Sequence, residues 1–113
     1  MNMVELMNEI KEMPLKVFLA KGLGSKEQWR NLRKARSGRV VVRIIEGGNE
    51  YLKLGQSLSG NTPGIAVGFP VAIEYPNGWY SSTAVEKIDW AEDAESGTFK
   101  TLKSTYSFHF CKS

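Results

Sequence analysis

The sequence predicts an α+β domain that is mainly β, with one or two short N-terminal helices packed on a small antiparallel sheet. Three observations carry that reading. Apolar residues recur at helical spacing only in the first third of the chain. From Arg39 onward, apolar and polar residues alternate with period two. Glycine, proline and asparagine clusters then divide the remainder into short runs of strand length. A sheet of five or six strands in a chain this short is expected to curl into a closed or partly open barrel.

Residues 2–13 read as an amphipathic helix, with Met3, Leu6, Met7, Ile10 and Met13 on one arc and Glu5, Glu9 and Glu12 on another; Val4 is the misfit. Pro14 limits it by pushing the preceding residue out of the α region. Leu15 to Ala20 is short and partly alternating, which predicts a first strand or extended connector. Ser25 and Gln28 form a capping box for a second helix over 26–36, whose apolar stripe is Trp29, Leu32 and Ala35. Ser37-Gly38 ends it.

Arg39 to Glu46 reads as a strand, Gly47-Gly48-Asn49 as its turn, and Glu50 to Leu54 as the returning hairpin partner. Residues 55–64 are a loop by composition. Phe69, Val71, Ile73 and Tyr75 alternate as a half-buried strand, and Pro76-Asn77-Gly78 is the clearest hairpin signal in the chain. Trp79 to Ile88 follows, then an acidic loop, Ala91–Gly97. Thr98 to Cys111 reads as one long strand, with Tyr106, Phe108 and Phe110 on one face. Phe99 is out of phase with that face, so a bulge or bend is expected between Lys100 and Ser104.

One segment is similar to a pattern in short uncharacterised proteins of bacteriophages and bacterial mobile elements. It consists of Trp79, Ser82-Thr83, Val85 and Ile88 on one strand, then Phe99, Thr101, Ser104 and Tyr106 on the next. The resemblance covers residues 78–108 and implies the closing hairpin of a small SH3-like barrel. It transfers no activity to any residue. Apolar members of the pattern fill one face, and the hydroxyls bond across strands or to backbone at the bend.

The whole chain, 113 residues, fits a single domain, with a helical segment over 1–38 and a β segment over 39–113. Its only cysteine, Cys111, has no internal disulfide partner, which suits a reducing cytoplasm. Glu5, Glu9 and Glu12 interrupt the N-terminal segment, so neither a signal peptide nor a membrane contact is expected. Net charge is only +3, but nine Lys/Arg stand against one Glu between Lys16 and Arg43. Such segregation describes a surface patch.

The candidate partner-binding residues are therefore Lys26, Arg30, Arg33, Lys34, Arg36, Arg39 and Arg43, joined by Trp79, Tyr80 and Trp90, which flank turns. Helical cations neutralise phosphates or pair with carboxylates. No catalytic, metal or cofactor site is expected. His109 and Cys111 share a strand face but have no orienting acid or oxyanion donor. Gly22-Leu23-Gly24 lacks the Lys-Ser/Thr of a phosphate loop, and Asp89, Glu92, Asp93 and Glu95 lack calcium-loop spacing. No paired recognition helix accompanies 26–36. The expectation is a non-enzymatic, cytoplasmic, phage-like protein of the host-takeover or anti-defence type that binds a host macromolecule. An acidic host protein ranks ahead of nucleic acid, and a structural subunit of a larger particle is the third reading.

Overall fold

Three short helices precede six strands in the computed structural model, which describes residues 2–111. Helix α1 (Met3–Glu12) starts where the Asn2 side chain accepts a hydrogen bond from the Glu5 amide at 2.9 Å. It buries Val4, Met7 and Ile10, so Val4 belongs to the packed face after all. Met13 turns extended before Pro14, as the proline requires.

Leu15–Ala20 is a helix, α2, and not the expected strand or extended connector. Pro14 sets the φ of a helix start, and Leu, Lys and Ala are good helix formers. Only Phe18 of this segment is buried, where it meets Phe69 at 6.3 Å between ring centroids. Val17 and Leu19 remain exposed. Helix α3 (Lys26–Lys34) opens on the reciprocal capping box: the Gln28 amide donates to Ser25 Oγ at 3.1 Å, and the Ser25 amide to Gln28 Oε1 at 2.8 Å. Leu32 is its buried anchor, and Trp29 Nε1 donates to the Met13 carbonyl at 2.8 Å.

The strands are β1 (Gly38–Glu46), β2 (Ser57–Thr62), β3 (Pro70–Tyr75), β4 (Gly78–Trp90), β5 (Ser96–Thr101) and β6 (Thr105–Phe110). Each pairs antiparallel with the next, and β6 returns to β1 to close a barrel. Val40, Val42, Ile44, Val71, Ile73, Val85, Phe99, Tyr106, Phe108 and Phe110 fill its interior. Leu52 and Ile65, from the β1–β2 and β2–β3 loops, complete the packing. The helices lie outside, with Val4, Met7, Phe18 and Leu32 packed on Ala66, Phe69 and Ala72.

Three strand assignments differ from expectation, each for a local reason. Glu50–Leu54 does not pair with β1. Gly47 and Gly48 take positive φ, and Asn49 Oδ1 then accepts the Tyr51 and Leu52 amides at 2.8 and 2.9 Å, which winds the chain into a loop. The real partner of β1 is β2, inside the segment expected to be loop; a Cβ at Gly60 would collide with the Glu74 carbonyl, so glycine permits this close approach. The expected bend between Lys100 and Ser104 is a complete reversal, held by the Thr101 amide donating to the Ser104 carbonyl at 2.9 Å. It places Phe99 opposite Tyr106, their rings stacked 4.6 Å apart. The 78–108 region is thus a three-strand meander within the barrel.

Elsewhere the turn chemistry holds. Tyr75 pairs with Gly78 across the two-residue turn Pro76-Asn77, neither residue of which takes positive φ. The hydroxyls of the resemblance pattern bond backbone where pairing shifts: Ser82 Oγ accepts the Val71 amide at 3.0 Å, and Thr101 Oγ1 accepts the Ser104 amide at 3.3 Å.

Phe18→Ala should cost about 3–5 kcal/mol, because Phe18 is the fully buried link between the helices and β3. Urea unfolding measures this, and a loss below about 1 kcal/mol would contradict the assigned helix–barrel packing.

Candidate functional site

The barrel divides the basic segment that is continuous in sequence. Lys26, Arg30, Arg33 and Lys34 ride on α3, exposed and without ion pairs among the described residues. Arg33 is not free in orientation: its guanidinium lies 4.8 Å from the Trp29 ring centroid. Arg39 and Arg43 alternate with the buried Val40, Val42 and Ile44, so they project from the outer face of β1.

Arg36 stands between these groups and is held from two sides. Its guanidinium covers the Phe110 ring at 4.7 Å, and Nη1 meets Glu95 Oε1 at 3.7 Å. Glu95 is positioned by a tight turn in which Asp93 Oδ1 accepts the Glu95 and Ser96 amides at 2.9 and 3.1 Å. These hydrogen bonds, the Glu95 amide foremost, hold the Asp93 carboxyl below the usual carboxylate range. The acidic loop is therefore an ordered turn, with Ala94 at φ 56° inside it.

A groove of about 500 Å³ opens between the C-terminal end of α3, the β2–β3 loop and the β4–β5 turn. Lys34 and Arg36 lie along it, and Val67, Ile88 and Trp90 supply apolar surface. Trp90 is 45% exposed, yet its ring stands edge-on to Phe108 at 5.1 Å, so the indole is anchored while one side faces the groove. Three of the residues expected to bind a partner, Lys34, Arg36 and Trp90, thus meet at one place.

Trp79 and Tyr80 lie elsewhere, at the start of β4, and divide as adjacent strand residues must. Trp79 is exposed, whereas Tyr80 turns to the barrel mouth, where its hydroxyl contacts the Tyr106 hydroxyl at 2.9 Å and accepts from Asn49 Nδ2 at 3.1 Å. Exposed Tyr51 and half-buried Tyr75 line a second cleft with them. Neither was a candidate, because the β1–β2 loop brings Tyr51 there through Gly47 and Gly48 and not through any periodicity. Lys11 was also missed. Its Nζ donates to the Ala35 and Pro63 carbonyls at 3.1 and 2.6 Å, tying α1 to the end of α3, and burial lowers its pKa.

His109 is exposed and Cys111 half-buried at the end of β6. Among the described residues no three His, Cys, Asp or Glu side chains gather where they could hold a metal ion, and no helix is long and apolar enough to cross a membrane. No family model, curated protein or solved structure matches the chain.

Burial, followed by the hydrogen bond to Tyr80, pushes the Tyr106 phenol above the ordinary tyrosine range. The folded state therefore keeps this proton when the unfolded chain has begun to lose it near pH 10. Stability should be unaffected below that pH and should fall as pH rises beyond it. Tyr106→Phe should remove this component of the alkaline slope, measured by denaturation at a series of pH values; an unchanged slope would contradict the burial of the phenol.

Proposed function

We propose that the protein is a non-enzymatic binding module whose partner is a protein presenting carboxylates, in the manner of short phage proteins that act on host macromolecules. The observation that carries this reading is the groove at the foot of α3. An anchored, half-exposed Trp90 lies between apolar walls, with Lys34 and Arg36 beside it. A buried aromatic anchor ringed by polar groups is the anatomy of protein interfaces, where Trp and Arg dominate the energy. Arg36 is already oriented by Phe110 and Glu95, so little side-chain freedom is lost when a partner carboxylate joins it.

A second reading rests on the outer face of β1, β2 and β6. Arg39 and Arg43 lie there beside Ser57, Ser59, Asn61 and Ser107, a set of donors suited to phosphate oxygens. Binding of this kind would weaken steeply with added salt.

Capture from a bacterial lysate with and without nuclease separates the two. The proposal expects a partner that survives nuclease treatment and is retained by Arg39→Glu/Arg43→Glu. Trp90→Ala and Lys34→Glu should each weaken it by about 2 kcal/mol, roughly thirtyfold in Kd. Loss of the partner on nuclease treatment, or full retention by Trp90→Ala, would overturn it.

A further inference from the structure

The barrel wall is zipped along every seam but one. β1 and β2 are in register at six positions, Gly38↔Thr62 through Arg43↔Ser57, whereas β2 and β3 are in register only at Asn61↔Glu74. Above that position β3 turns away: Tyr75 pairs with Gly78 in the hairpin, and Pro76 has no amide hydrogen to offer. The upper part of β2 therefore has a strand on one side only.

The parity of the ladder says which groups this leaves free. The Ile44 amide donates to the Gln56 carbonyl at 3.2 Å, so the even-numbered residues of β2 turn their main-chain groups to β1. The odd-numbered ones, Ser57, Ser59 and Asn61, turn theirs to the β3 side, and only Asn61 finds a partner in register there. Ser57 and Ser59 thus present an open strand edge, a feature that proteins ordinarily cover or blunt.

Two clefts meet at this edge, sharing Tyr75 and Trp79. One, of about 590 Å³, lies over Ser59, Gly60 and Asn61, and the other, of about 500 Å³, reaches Leu58, Tyr51 and Tyr80. From Ser57 to Ser59 the unpaired edge spans three residues, about 10 Å at roughly 3.3 Å per residue.

We infer that this gap takes an extended peptide segment of a partner protein, paired antiparallel through its backbone to Ser57 and Ser59. Its chemistry follows from the groups along the gap. The free edge offers alternating amide and carbonyl groups, which a peptide main chain matches and a phosphate backbone does not. The residue of the segment opposite Leu58 faces inward, where Leu58 and Tyr80 give apolar surface, so it is apolar. The residue opposite Ser57 faces outward beside Arg43, an exposed cation without an ion pair among the described residues, so it is acidic. At the lower end Arg39 and Glu74 line the same cleft with opposite charges, which favours a neutral residue there. Exposed Tyr51 and Trp79 add apolar area on the flanks. The site is distinct from the groove at the foot of α3, and its test does not depend on that groove.

The probe is a blocked peptide of sequence Thr-Leu-Glu, whose Glu falls opposite Ser57 and whose Thr falls opposite Ser59 in the antiparallel register. Titration into the labelled full chain, followed by amide chemical shifts, should perturb Ser57, Ser59 and Tyr75 together with the Trp79 indole. Replacing the Thr of the peptide by Pro, which removes the main-chain donor opposite Ser59, should abolish the effect. Arg43→Glu should weaken binding severalfold, and Trp90→Ala should leave it unchanged. Ser59→Pro should bind no peptide while retaining the β1–β2 ladder, since its amide points into the gap; Arg43→Glu decides the case if that variant fails to fold. No perturbation at millimolar peptide, equal binding of the proline peptide, or the same shifts with an oligonucleotide would overturn the inference.

Discussion

Everything in this molecule depends on the return of β6 to β1. Val40, Val42 and Ile44 stand in register with Phe110, Phe108 and Tyr106, so the first and last strands bring the largest apolar side chains into one interior. Were the sheet left open, Phe108 and Phe110 would line an exposed edge, and the aromatic packing of Phe99, Tyr106, Phe108 and Phe110 would lose a wall. Closure also settles where the helices go. With the interior full, α1, α2 and α3 can bury their apolar stripes only on an outer face. Ala66, Phe69 and Ala72 offer one, the small alanines letting the helices approach.

Closure has a geometric cost that shows at particular residues. Register shifts occur between Ile44 and Glu46, Pro70 and Ala72, and Val85 and Lys87, where strands bend around the wall. Ser82, Thr101 and Ser104 are buried polar residues at such points or at the adjoining turn, and their hydroxyls take up amides that the ladder would leave bare. The β2–β3 seam receives no such repair. Its opening lies toward the barrel end where Ile45, Tyr51, Leu54, Trp79 and Leu102 stay exposed, whereas α1 carries the exposed acids Glu5, Glu9 and Glu12 on the helical layer. The molecule is therefore chemically polarised, with apolar and backbone-donor surface at the barrel mouth and a cation-edged groove at the foot of α3.

Legibility in the sequence followed the range of the interactions involved. The capping box of α3, the Pro76-Asn77 turn and the facing of Tyr106, Phe108 and Phe110 are local or periodic, and they could be read directly. Leu15–Ala20 was misread because six mixed residues satisfy both periods, and burial of the single Phe18 against Phe69 decides between them. Ser57–Thr62 was invisible because Ser, Gly and Asn are turn residues by composition; strand formation there is imposed by β1. Of the site, the charges and the exposed tryptophans were legible as residue types. Their division into a groove at one place and an open edge at another was not, because it follows from which strands pair and where pairing stops.

The central structural claim is that β2 is bonded on one side only over Ser57–Ser59. Residue-resolved amide hydrogen exchange tests it most directly. The account predicts alternation: the Leu58 and Gly60 amides, turned to β1, exchange slowly, while the Ser57 and Ser59 amides exchange at rates close to those of open loops. Uniform protection from Ser57 to Gly60 would mean that β3 or another element covers the edge, and would contradict both the open seam and the peptide site assigned to it.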